Sequence, residues 1–186
     1  MRFKIAYLLV CLLPAMKAAD TGVSKNWQQI VAERLPLYGH RNWIVIADSA
    51  YPAQSRAGIE TVISGAEQLD VLKQILSALA ASRHVRPIIY TDRELNFVPE
   101  QDAPGIGSYR QQLGALLKGK AVQSLPHEEI ISKLDQAGQT FRVLIIKTNL
   151  TVPYTSVFLQ LDCAYWSAEA ESKLRAAMAS QAGVSK

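Results

Sequence analysis

Trp43-Ile44-Val45-Ile46-Ala47-Asp48 is the stretch on which the fold of this chain turns. Five consecutive apolar residues, three of them β-branched, show no alternation with polar ones, so the strand they predict must be covered on both faces. That pattern belongs to an α/β sheet with parallel strands and helices on either side. Asp48 ends the run, and residues 49–58, rich in Pro, Gly and Ser, read as a loop.

Upstream, Trp27, Ile30, Val31 and Leu35 recur at helical spacing, with Pro36 interrupting and Gly39 where a left-handed terminating residue would sit. Downstream, Ser64-Gly65-Ala66-Glu67 has the pattern of a capping box ahead of the stripe Leu69, Leu72, Ile75, Leu76 and Leu79. Pro87-Ile88-Ile89-Tyr90 reads as a second buried strand, followed by a long loop, 91–107, carrying Asp92, Glu94, Glu100 and Asp102. Tyr109, Leu113, Leu116 and Leu117 mark a helix, and His127 to Ala137 another after Pro126. Strands are expected at 141–146 and 157–161 around a turn containing Pro153, then a C-terminal helix capped by Ser167 with Leu174 and Met178 on it. Helices alternating with strands predict a three-layer α/β/α sandwich with a mainly parallel or mixed sheet. In such folds ligands gather beyond the carboxyl ends of the strands. Asp48 and the loop after Tyr90 fall at such ends, whereas His40 precedes a strand.

At 186 residues, 49% hydrophobic and 19% charged, the chain has the length and composition of one globular domain. Residues 1–19 are read apart from it. Met1-Arg2-Phe3-Lys4 is basic, Ile5 to Leu13 is unbroken apolar but far short of the roughly 20 residues a spanning helix needs, and small residues Ala15, Ala18 and Ala19 follow Pro14. The pattern predicts an export signal, a mature domain over 20–186, and a secreted or periplasmic location. Without residues 1–19, Lys plus Arg drops from 20 to 17 against 16 Asp plus Glu, so the net charge falls from +4 to +1. The basicity resides mainly in the targeting segment and points to no nucleic-acid partner. Cys11 leaves with that segment and Cys163 remains alone, which excludes an internal disulfide in the mature chain. No spaced ligand set, GxGxxG or Walker-type loop is present, so neither metal nor cofactor is expected.

The run Tyr38-Gly39-His40-Arg41-Asn42-Trp43-Ile44-Val45-Ile46-Ala47-Asp48-Ser49-Ala50-Tyr51-Pro52-Ala53-Gln54-Ser55 resembles the opening signature of the D-ribose pyranase and L-fucose mutarotase (RbsD/FucU) family: Gly-His, a buried strand, Asp eight residues after His, and Pro four after that. His127-Glu128 resembles the family's second histidine, and Tyr154-Thr155-Ser156-Val157-Phe158-Leu159 its late motif, with Ser156 where the family has asparagine. The acidic residue that usually precedes that tyrosine has no counterpart in Lys147-Thr148-Asn149, and 91–107 has none in the simpler members. The resemblance implies a cofactor-free interconversion of monosaccharide ring forms or anomers. It also implies a homo-oligomer whose sites are completed between subunits, with His40 and Asp48 of one facing Tyr154 of the next.

Opening a hemiacetal needs a group that takes the anomeric hydroxyl proton and another that protonates the ring oxygen. Imidazole, with an unperturbed pKa of roughly 6.5, does both near neutrality. The expected catalytic residues are therefore His40, with Asp48 orienting it, and His127 or Tyr154 as the complementary group. Ser156, Asp48 and Arg110 are expected to touch the sugar. Other roles stand beside these: a histidine capping a helix end, a surface His127, Asp48 capping a turn, Tyr154 packing on the sheet, and Arg110 bridging the acidic loop. A non-catalytic sugar-binding or transport-accessory protein is the alternative function. A hydrolase using Asp92 and Glu94 is a third.

Overall fold

The computed structural model describes residues 26–182. The expected export signal, residues 1–19, and the mature start near Asp20 lie outside the described residues. Strands β1 (Trp43–Ala47), β2 (Ile59–Ile63), β3 (Val85–Asp92), β4 (Val122–Leu125), β5 (Val143–Lys147) and β6 (Val157–Cys163) form one sheet in the order β2-β5-β1-β6-β3-β4. The pairings β1–β5, β2–β5 and β3–β4 are parallel, while β6 is antiparallel to both β1 and β3. The sheet is thus mixed, with one reversed strand at its centre.

The strand that decided the reading is buried along its whole length, and its side chains divide between two cores. Ile44 and Ile46 pack with residues of α1 (Trp27–Arg34), α2 (Gln68–Ala81) and α3 (Ile106–Leu116) on one face. Trp43, Val45 and Ala47 pack with Ile130, Leu134 and Ala137 of α4 (His127–Thr140) on the other. Each fully buried Val or Ile contributes on the order of 1.5–3 kcal/mol, which is why this run carries no polar position. The expected three-layer α/β/α sandwich is the architecture found.

Two strands were not anticipated. β2 and β4 are the sheet's edges, partly or largely exposed, and Glu60, Thr61, Gln123 and Ser124 dilute the apolar signal that marks central strands. The capping box at 64–67 does not form: α2 begins at Gln68 after Glu67, with no side-chain cap. Ser64 Oγ instead donates to Lys147 O, bracing the β2–α2 connection against β5. A capping box does close α1, where Asn26 and Gln29 satisfy each other's backbone N–H groups. Gly39 is not the left-handed residue; Arg41 is, at φ 73°. The carbonyls of Leu35 and Tyr38 are met by His84 Nε2 at 3.2 and 3.0 Å, so the histidine that serves the end of this helical segment is His84, not His40.

Residues 91–107 are not one open loop. Thr91 and Asp92 complete β3, and residues 93–96 form a 3₁₀ turn. The last helix, α5 (Ala168–Ala182), is capped by Ser167 Oγ as expected, but Leu174 and Met178 are exposed and contribute nothing to either core. Among the described residues no helix is long and apolar enough to cross a membrane.

Candidate functional site at the carboxyl edge of the sheet

Because β6 runs backwards between β1 and β3, its first residues lie beside the carboxyl ends of both neighbours. Ile46 and Thr91 each pair with Val157, so Ser156, one step outward, is flanked by the ends of β1 and β3. Its Oγ donates to Asp48 Oδ2 at 3.0 Å, and Asp48 Oδ1 accepts from Ala50 N at 2.9 Å. The second bond is an Asx turn, the role of a residue that caps its own loop. Together the two contacts fix the carboxylate at the mouth of the sheet.

On the other flank, Asp92 closes β3 on the face packed by α4, in step with Tyr90. It is 1% exposed, with Oδ1 3.1 Å from His127 Nδ1 and Oδ2 buried without a partner. Burial raises its pKa to about 6, and His127 opposes that rise. Glu94 accepts the backbone N–H of His127, 3.1 Å from each carboxylate oxygen. A carboxylate at a helix N-terminus satisfies an orphan donor and complements the dipole. Ring and backbone of His127 are thereby both held, while its side chain stays about one-third exposed. No described residue hydrogen-bonds Nε2.

Tyr154 meets His127 edge-on, with ring centroids 5.6 Å apart. Its backbone sits at φ 58°, a left-handed conformation that costs a non-glycine residue on the order of 1–3 kcal/mol and persists only where the surroundings enforce it. The enforcement is visible next door. Thr155 O accepts from both the Gln68 amide and the Tyr109 hydroxyl, and Thr155 Oγ1 donates to Val152 O. The Gln68 carbonyl accepts from Thr148 Oγ1. This buried network links α2, α3 and both ends of the 148–156 connection, presenting Tyr154 and Ser156 toward the edge.

The structure therefore gathers Asp48, His127, Tyr154 and Ser156, expected as site residues, in a single chain. Two others are elsewhere. His40 is exposed in the turn before β1, and Asp48 follows that strand; the five strand residues alone span roughly 16 Å. Asp48 cannot orient His40 within one chain; it bonds Ser156, two residues from Tyr154 of the same chain. Arg110 has a partner set of its own: its Nη1 donates to Leu95 O and Val98 O, pinning the segment after β3. The Asp92–Glu94 hydrolase pair does not form, since one acid holds the imidazole and the other the backbone of the same histidine. Asp92 and Glu94 entered the sequence reading only as loop acids and a hydrolase pair, so their hold on His127 was missed, as was Gln68 altogether. The only signal was the placement of both acids at a carboxyl strand end. Among the described residues no three His, Cys, Asp or Glu side chains are grouped so as to hold a metal ion.

Among solved structures, the chain is similar to RbsD of Bacillus subtilis complexed with D-ribose, at 22% identity and TM-score 0.49, covering 72% of this chain and 91% of that one. It is similar as well to the fucose mutarotase of Streptococcus pneumoniae in complex with L-fucose, at 23% identity and TM-score 0.48 with the same coverage. FucU of Bifidobacterium longum follows at 19% identity and TM-score 0.49, covering 72% and 94%. No curated protein sequence is significantly similar. The model of the RbsD / FucU transport protein family matches residues 27–164, from the first turn of α1 to just past β6, and the chain belongs to that family.

Proposed function

We propose that this protein interconverts ring forms or anomers of a monosaccharide by proton transfer at the carboxyl edge of its sheet. The observation that carries the reading is a partly exposed imidazole, His127, held by Asp92 behind it, beside Tyr154 and near the anchored Asp48. Membership of the RbsD/FucU family supports it. In the proposed reaction His127 Nε2 takes the anomeric hydroxyl proton, the C1–O1 double bond forms, and the C1–O5 bond breaks with its electron pair moving to O5. O5 is protonated as it leaves, and reclosure after rotation reverses each step. Asp48 accepts a sugar hydroxyl, and the exposed Tyr154 ring offers a stacking face and a donor.

A second proton source is needed at O5, and we assign it to His40 of a second copy. Leu37, three residues before His40, is 76% exposed, and Phe97, three after Glu94, is 78% exposed. An assembly that brings the amino edge of one sheet against the carboxyl edge of another covers both and completes the site. Export, expected from residues 1–19, belongs to the same proposal, and N-terminal sequencing of protein from the exported fraction should start near Asp20.

The test is magnetisation-exchange NMR on a panel of aldoses including D-ribose and L-fucose, the sugars bound in two of the similar structures. Accelerated exchange of at least one sugar is the expected result. Sugar binding without acceleration selects the alternative, a sugar-binding or transport-accessory protein. Ser156 favours that alternative, because it replaces an amide and already spends its hydroxyl proton on Asp48.

A further inference from the structure

The structure assigns Asp92 as the positioning residue of His127: from behind the ring its buried carboxylate keeps the proton on Nδ1, so that Nε2 is the atom that exchanges protons with the sugar. The inference rests on the proton-transfer reading above but is testable apart from it.

Three features support it. The contact is specific, since Asp92 Oδ1 lies 3.1 Å from Nδ1 while Glu94 fixes the backbone of the same residue, leaving the imidazole little freedom to turn away. An ionised carboxylate only accepts hydrogen bonds, so a neutral imidazole facing it must carry its proton on Nδ1, which leaves the Nε2 lone pair free. Asp92 is also expensive to keep. It is almost fully buried, its Oδ2 has no partner, and β3 would be satisfied by an apolar residue at this position. A buried acid left half unsatisfied behind a partly exposed histidine is characteristic of a site selected for chemistry rather than stability. The charged and titratable groups acting on it are His127 of α4, Glu94 of the 3₁₀ turn and Asp48 after β1, and its charge in turn acts on Tyr51 and Tyr109. The two acids oppose its ionisation and His127 favours it.

Asp92 touches no sugar in this arrangement, which separates it from a binding residue. Asp92→Asn, whose amide can donate to Nδ1, should favour the opposite tautomer with the proton on Nε2 and lower kcat on the order of 10²-fold or more while leaving KM nearly unchanged. The decisive readout needs no sugar. Side-chain nitrogen NMR of the full-length wild-type protein at alkaline pH should show Nδ1 of His127 protonated and Nε2 bare. In Asp92→Asn the two nitrogen shifts should exchange character. A wild-type spectrum with Nε2 protonated, or a tautomer unmoved in a folded Asp92→Asn protein, overturns the assignment. Because the tautomer is read without substrate, a chain that accelerates no sugar but shows the Nδ1–H form defeats the functional reading and not this one.

Discussion

The two ends of β1 stand in sharp contrast. At the carboxyl end, Asp48 and Ser156 share a hydrogen bond, Asp92, His127 and Tyr154 are joined by a hydrogen bond and a ring contact, one acid is buried at a cost, and a tyrosine is held in a left-handed backbone conformation. At the amino end, His40 is exposed, and no described residue hydrogen-bonds its side chain. Backbone strain does not separate the two ends, since Arg41 beside His40 is also left-handed, at φ 73°; the buried, half-satisfied acid and its histidine partner do. The second end acquires a role only if something else brings it to a site.

The largest effect expected is on proton transfer. His127→Ala should lose on the order of 10²- to 10⁴-fold of the exchange acceleration, read by magnetisation-exchange NMR on a folded protein. His40→Ala should lose a comparable amount, but only through assembly. Dissociating and remixing His127→Ala with His40→Ala protein should then restore part of the activity in hybrid sites, and an active monodisperse monomer would separate the two ends for good.

Next in size is the support behind Tyr154. Gln68→Leu removes an amide that bonds Thr155 O and the Tyr109 hydroxyl and accepts from Thr148, all in a buried setting. It should cost about 2–4 kcal/mol in denaturant unfolding. An equal substitution in the exposed turn at His40 should cost less than about 0.5 kcal/mol.

Asp92→Asn should change stability with the opposite sign. The folded-state pKa of Asp92 is raised from 3.8 to about 6, so the folded protein holds this proton more tightly than the unfolded chain. Its stability contribution is complete below about pH 4 and is lost as pH rises to about 6. The asparagine variant has no proton to lose and should be the more stable protein above pH 6 by up to about 2 kcal/mol. The difference from wild type should shrink toward pH 4, which unfolding curves at several pH values can follow. The smallest effect belongs to α5: removing residues 165–186 should change unfolding free energy by less than about 0.5 kcal/mol, because its apolar residues join neither core.

What could be read in the sequence followed the same division. Buried strands announce themselves by unbroken apolar runs, which is why β1 and the α/β layers were legible, and motif resemblance pointed to four residues, Asp48, His127, Tyr154 and Ser156, that the fold brings to one edge of the sheet. The edges β2 and β4 were not, since an edge strand tolerates Glu60 or Gln123 and loses its periodic signature. The expected pairing of Asp48 with His40 in one chain overlooked that an extended strand separates residues at its two ends. Asp92 looked like one acid among several in a loop. Its burial and its pairing with His127, 35 residues away, depend on β4 lying parallel beside β3 with Leu125 opposite Asp92, which no local pattern discloses.

The most direct test of the carboxyl-edge site uses the three histidines as reporters, one at each end of β1 and one, His84, bonded to the Leu35 and Tyr38 carbonyls. Side-chain resonances would be followed while titrating the aldose that exchanges fastest in the panel. The account predicts saturable shifts at His127, none at His84, and shifts at His40 only in an assembled particle. A sugar that binds or exchanges while the His127 resonances stay in place would contradict it.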